Sequence, residues 1–364
     1  MVSKNIPQME PWFDEKEARA VYKYMKLGGW VMEFKKTTEL EQMICEFTGA
    51  RYCSMMPNGT ISLTLALLAL GLKADDEVLV PDLTMIASPN AAEMIGIKSV
   101  SVDIEPQNLC MDLKAAQKAI TKKTKALMYV AFNGRSADMS QVVTFCKRHK
   151  LFLVEDAAQA LGSFWKVKHL GTLGEIGSFS FSVPKIISTG QGGALVTNKK
   201  SLHKKIQQLK NFGRAASGGD IHPYWGWNFR FTDIQAVIGI EQMKKLKART
   251  KRKKQIYKRY HDNLKGIEQI KFVQTDLEQT TPWFIDIYVP KSKRLAHYLS
   301  EKGIGTRPLY PPIHTQKIYQ NRYSSKNFPI TRHYSQHGLW LPSSSKLKNE
   351  EIDYICKSIK NYFT

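Results

Sequence analysis

At 364 residues, with 43% hydrophobic content and a formal net charge of +22, the chain exceeds the roughly 250–300 residues at which a single core stops growing, so one large and one smaller domain are expected. Its five cysteines (Cys45, Cys53, Cys110, Cys146 and Cys356) are odd in number and share no spacing, which argues against a disulfide framework or a metal site and favours a reducing, cytoplasmic setting. Residues 1–10 hold no apolar signal core, and the most hydrophobic run, 63–72, falls short of the about 20 residues that span a bilayer, so no membrane partner is expected.

Helical periodicity is read at 15–27 and 36–48 and again at 60–70. From there strands and helices alternate: strand 77–80, helix 88–95, strand 99–102, helix 113–120, strand 126–130 and helix 140–149, then strands 151–154, 177–180 and 193–197. That alternation predicts an α/β fold, with a mostly parallel central sheet flanked by helices. Ligands in such sheets gather outside the strand ends. A long helix follows, from residue 234 past 257, carrying the basic run Lys244-Lys245-Leu246-Lys247-Ala248-Arg249-Thr250-Lys251-Arg252-Lys253-Lys254. Phosphate contacts to nucleic acid are one reading of that run. Apolar residues on one side and charge on the other make a solvated helical face the stronger one, and positive potential would also draw in a nucleotide diphosphate. A strand at 282–288, a helix at 295–302 and a Pro- and Tyr-rich stretch at 307–314 mark a smaller C-terminal α+β domain, giving expected domains of 1–250 and 251–364.

The chemistry concentrates between these elements. Asp156 closes Leu151-Phe152-Leu153-Val154-Glu155-Asp156, which reads as a buried strand, and Lys185 follows in a window of small and hydroxyl residues closed by Gly190-Gln191-Gly192-Gly193. The pair suits pyridoxal phosphate. A lysine amine forms an imine with the cofactor aldehyde and then shuttles a proton, which requires a pKa below its solution value of about 10.4. A carboxylate against the ring nitrogen keeps that nitrogen protonated and the ring electron-withdrawing. Ser180 is a candidate phosphate ligand.

Several further motifs accompany this pair: Asp76-Glu77-Val78 through Val80-Pro81, Glu155-Asp156-Ala157-Ala158-Gln159-Ala160, the stretch 178–185, and Asn228-Phe229-Arg230. With them the chain resembles the sugar aminotransferases related to DegT, DnrJ, EryC1 and StrS, within the fold-type I pyridoxal phosphate enzymes. The likeness runs from Pro11-Trp12-Phe13 to Leu341-Pro342 and the terminal helix. It implies Lys185 as the imine lysine, Asp156 as the partner of the pyridine nitrogen and Gln159 as the partner of the ring hydroxyl. Gly59 and Thr60, at a helix N-terminus where backbone donors are free, would bind phosphate, with Ser180 adding a hydroxyl. Asn228 matches a residue that reaches the phosphate from the neighbouring subunit, which implies a homodimer with two composite sites. Tyr224, Trp225 and Trp227 would then pack the interface. His314 falls in a loop where the family has a sugar-site histidine; a buried or surface histidine is an equal reading. Arg230 and Arg307 suit carboxylate or diphosphate, and a structural ion pair is an equal reading of each.

Three positions depart from the family pattern. Met85 stands where an aromatic residue usually covers the cofactor ring, Ala131-Phe132-Asn133-Gly134-Arg135 replaces a His-containing stretch, and Gln191 replaces a Glu. The last two are expected near the sugar. The resemblance implies an aminotransferase that converts a GDP- or UDP-linked 4-keto-6-deoxyhexose to the amino sugar, with glutamate as donor and pyridoxamine phosphate as intermediate. A 3-keto nucleotide sugar is the nearest alternative. A related branch with His at the lysine position removes a hydroxyl instead; Lys185 favours amino transfer over that dehydration. A non-catalytic, nucleic-acid-binding relative would lack cofactor absorbance.

Overall fold

The computed structural model describes residues 5–215 and 219–364. Runs such as Val78-Leu79-Val80 and Ala126-Leu127-Met128 are buried on both faces, the pattern of strands covered by helices on either side. In chain order the strands are β1 Tyr52–Met56, β2 Glu77–Pro81, β3 Lys98–Val102, β4 Thr124–Val130, β5 Phe152–Asp156, a short pair β6 Phe164–Trp165 and β7 Lys168–His169, β8 Ile176–Ser180, β9 Gly193–Thr197, β10 Ile285–Tyr288, β11 Arg307–Pro308 and β12 Gly338–Leu341. Seven form one sheet in the order β1-β9-β8-β5-β4-β2-β3. Its β8, β5, β4, β2 and β3 run parallel, while β9 pairs antiparallel with both β8 and β1. The expected α/β fold with a mostly parallel, helix-flanked sheet is what the chain adopts.

The register decides where the chemistry falls. Asp156 pairs with Ser178 across β5 and β8, so Asp156 and Ser180 leave the sheet at the same carboxyl edge. The helix Gly59–Ala69 starts at that edge, just past β1. Leu63, Leu65, Ala66 and Leu67 are fully buried there, and burial contributes about 1.5–3 kcal/mol per large apolar side chain. Asn58 caps this helix, its side chain accepting the Ile61 N–H at 2.9 Å.

A second sheet, β10-β12-β11, carries the C-terminal part. Phe132, Trp283, Phe284, Tyr310 and Trp340 form one aromatic cluster between the two sheets. The 131–135 stretch contributes Phe132 to it, while Asn133 and Arg135 are buried and both donate to the Asp286 carboxylate. A buried carboxylate on β10 demanded partners, and these residues meet that demand.

The basic run also differs from the sequence expectation. It lies on the helix Asp233–Leu264, but Arg249 and Lys253 are buried in it. Lys245 pairs with Asp14 at 2.7 Å and Glu17 at 2.6 Å, and Arg252 donates to the Leu347 carbonyl and to Asn349. Much of the charge is therefore consumed inside the fold. Among the described residues, no helix is long and apolar enough to cross a membrane.

Candidate active site

Strand alternation separates the two acids that end β5. Glu155 points to one face and accepts the backbone N–H groups of Gly171, Leu173 and Gly174 at 2.6–2.7 Å, a structural role. Asp156 points the other way, into a cavity of about 260 Å³ at the carboxyl edge of the sheet. Its Oδ2 accepts the Ser88 hydroxyl at 2.7 Å and its Oδ1 the Ala158 N–H at 3.2 Å. Burial pushes its pKa up, while Ser88, Ala158 and the Lys185 charge work against that rise.

Lys185 lines the same cavity. The loop that carries it is pinned on both sides: Trp283 Nε1–H donates to the Pro184 carbonyl at 2.8 Å, and Arg249 donates to the Ile186 carbonyl at 3.1 Å. Burial brings the Lys185 amine down to about 8; Asp156 opposes that fall and the Arg307 charge adds to it. A neutral amine is thereby accessible near neutral pH, which a surface lysine is not.

Gly59 and Thr60 line the same cavity, with Gly59 facing Ser180. A Cβ on Gly59 would stand 3.1 Å from Ser180 Cβ and 3.4 Å from its hydroxyl, so glycine keeps the cradle open at a helix start whose first turn carries no acidic side chain. Gln159 lines the middle, its Oε1 accepting the Asn133 N–H at 2.7 Å, and Met85 lies at the rim. An anion cradle, a ring-sized middle, a buried acid and an amine of lowered pKa fit pyridoxal phosphate.

Six positions singled out from the sequence thus converge: Gly59, Thr60, Met85, Asp156, Gln159 and Ser180, together with Lys185. Arg307 and Gln191 line the cavity as well. Asn228, Arg230 and His314 do not. Asn228 is exposed and accepts Arg230 Nε–H at 2.9 Å, and the Arg230 guanidinium lies over Phe212. His314 is buried on Asp82, with Nδ1 2.7 Å from the carboxylate, and stacks on Phe328. Here the buried-histidine reading holds within the chain, because Asp82 is itself buried and requires a partner. Trp283, Tyr310 and Ser182 also line the cavity, and Ser88 anchors its acid; none of these roles is among the expectations from sequence. The available signals were the aromatic residues beside Pro282 and Pro311.

Comparison with known proteins agrees with this geometry. Residues 11–360 match the DegT/DnrJ/EryC1/StrS aminotransferase family. The chain is 35% identical to the GDP-perosamine synthase of Escherichia coli O157:H7 over 99% of both chains, and 32% identical to that of Vibrio cholerae over 98% of this chain and 99% of the other. Spr1654 of Streptococcus pneumoniae superposes with a TM-score of 0.93 at 26% identity in its PLP form, covering 98% of each chain, and its PMP form superposes with a TM-score of 0.92. The chain belongs to the DegT/DnrJ/EryC1/StrS family and is a sugar aminotransferase that uses pyridoxal phosphate, passing through the pyridoxamine form.

Proposed function

We propose that this enzyme moves the amino group of glutamate onto the C4 ketone of a 4-keto-6-deoxyhexose carried on GDP. The observation that carries the chemistry is the convergence of Lys185 and Asp156 on one cavity that ends at a glycine-opened helix start. The choice of GDP and of C4 is supported by the likeness to two GDP-perosamine synthases.

When bound, pyridoxal phosphate supplies an aldehyde that takes up an amino group and a ring that draws electrons from the carbon bearing it. The protein does the rest. Gly59, Thr60 and Ser180 would bind its phosphate through backbone N–H groups and hydroxyls. Asp156 would keep the ring nitrogen protonated, and Ser88, donating to its carboxylate at 2.7 Å, fixes its orientation. Gln159 would serve the ring hydroxyl, and Met85 would offer the ring a thioether, which gives less flat contact than an aromatic side chain. Lys185 would hold the cofactor through its amine and, with its lowered pKa, would act as the general base and acid that moves the α-proton of the donor and, in the reverse sense, that of the amino sugar. Arg307 meets the donor carboxylate or the diphosphate as the second cation of the lining.

The cavity of about 260 Å³ suits the cofactor, which leaves the nucleotide sugar at the mouth. A second hollow of about 400 Å³ shares Thr60, Met85 and Ala87 with it. A homodimer fits the exposed Tyr224, Trp225 and Trp227 beside Asn228: a partner's Asn228 would complete the phosphate site. Residues 1–250 form the large domain of this reading and 251–364 the small one.

The test is incubation of purified protein with glutamate and a panel of 3-keto and 4-keto sugars on GDP or UDP. The reading expects 2-oxoglutarate and a 4-amino sugar, fastest from the GDP-linked 4-ketone. A product that has lost a hydroxyl without gaining nitrogen, or preference for a 3-ketone, overturns it.

A further inference from the structure

A cation lies over an indole face inside the cavity. Lys185 Nζ is 3.9 Å from the Trp283 ring centroid, and the same indole donates its N–H to the Pro184 carbonyl. One side chain thus touches both the reacting amine and the backbone just before it. Trp283 is only 2% exposed, stacks on Phe284 and meets Trp340 edge-on, so it cannot turn away without opening the aromatic cluster.

The segment that leads from it into β10 is held as firmly. Asn133 takes both backbone groups of Phe284, donating to the carbonyl at 2.8 Å and accepting the N–H at 2.7 Å. Its Nδ2 also donates to Asp286, and its own backbone N–H goes to Gln159. Asn133 adopts φ 57° to do this, a left-handed conformation that non-glycine residues hold at a cost. A chain of direct contacts therefore runs from Gln159 through Asn133 and Phe284 to Trp283 and Lys185.

We propose that Trp283 is a positioning residue for Lys185: its ring face is the resting place of the amine whenever that amine is not covalently engaged, and its N–H fixes Pro184 so that the amine travels on side-chain torsions over a still backbone. This rests on the reading of Lys185 as the imine-forming lysine. Each half-reaction releases and recaptures that amine, and a repeatable path depends on supports that do not move. The groups that face the amine are few. The indole face and Asp156 favour its charged form; Arg307 and burial disfavour it, and Tyr310 is kept neutral by burial.

The pyridoxamine phosphate form of the enzyme leaves Lys185 free, so it is the state to examine. In protein labelled with 15N-tryptophan, the Trp283 indole resonance, assigned by its disappearance in Trp283→Phe, is expected to titrate with the amine, below the ordinary lysine value of 10.5, and to stop titrating in Lys185→Met. Acetylation of Lys185 as a function of pH, read by peptide mapping, gives its midpoint in the variants. Trp283→Phe keeps an aromatic face and is expected to stay within about half a unit of wild type. Trp283→Leu keeps apolar cover without a ring quadrupole and is expected to fall by about half to one unit. An indole resonance that ignores pH in wild type, or a Leu variant that matches it, overturns the proposal. Borohydride labelling separates the two claims: no cofactor on residue 185 means that the underlying reading fails, whereas label at 185 with a silent indole means that only Trp283's role fails.

Discussion

Gly59 and Ser180 face each other so closely that a Cβ on the glycine would stand 3.1 Å from the serine Cβ. Ser180 ends β8, so neither wall can retreat without moving a strand or the start of a buried helix. Crowding of this kind costs about 1–3 kcal/mol. Gly59→Ala is therefore expected to weaken cofactor binding by about tenfold or more in a titration followed by visible absorbance, while the far-UV circular dichroism stays that of wild type.

Asp156 trades stability for chemistry. Burial raises its folded-state pKa above 3.8, so the folded protein favours the neutral acid more than the unfolded chain does, and stability falls as pH rises from the unfolded value through the raised one. Asp156→Asn removes that cost. The cofactor-free variant is expected to be more stable than wild type by about 1 kcal/mol at pH 7 in urea denaturation, with the difference shrinking toward pH 3. Its turnover is expected to drop about a thousandfold, the scale of losing a preorganised electrostatic contact.

Lys253 carries a similar cost away from the cavity. Its ammonium donates to the Ser343 carbonyl and has no ion pair among the described residues. Burial brings it from 10.5 down to about 7. Between those values the unfolded chain holds a proton that the folded chain has shed, so this group makes stability rise with pH across the window, by up to about 1.4 kcal/mol per unit. Lys253→Met is expected to flatten that rise and to be relatively most stabilising below pH 7. Denaturation midpoints of the two proteins from pH 6 to 10 measure the difference.

Composite sites predict complementation. Lys185→Ala and Asn228→Ala homodimers should each be impaired, the first completely. In a hybrid of the two, one site recovers both residues and the other has neither. Refolding an equal mixture is expected to return about a quarter of wild-type activity, as random pairing in a twofold dimer requires. Activity that never exceeds that of the Asn228→Ala homodimer alone would place Asn228 outside the partner's site.

The parts of this site that were legible in the sequence are those written locally. Asp156 ends an apolar strand, Lys185 sits in its small-residue loop, and Gly59 and Thr60 open a helix: each is a short-range pattern. Trp283 and Tyr310 reach the cavity, and Ser88 reaches its acid, through tertiary packing, and no local period marks an indole destined for a lysine. The basic run misled for a related reason. Periodicity places Arg249 and Lys253 on a helix, but only the docking of that helix shows them buried against backbone carbonyls. Likewise Asn133 and Arg135 read as a substitution in a sugar-binding stretch until Asp286, far along the chain, supplies the buried charge that they serve.

The central claim is that one amine holds the cofactor. Borohydride reduction of cofactor-saturated enzyme, followed by proteolysis and mass mapping, is expected to place a phosphopyridoxyl group on the peptide that contains Lys185 and to leave it absent in Lys185→Ala. Label on another lysine, or none, would contradict the account.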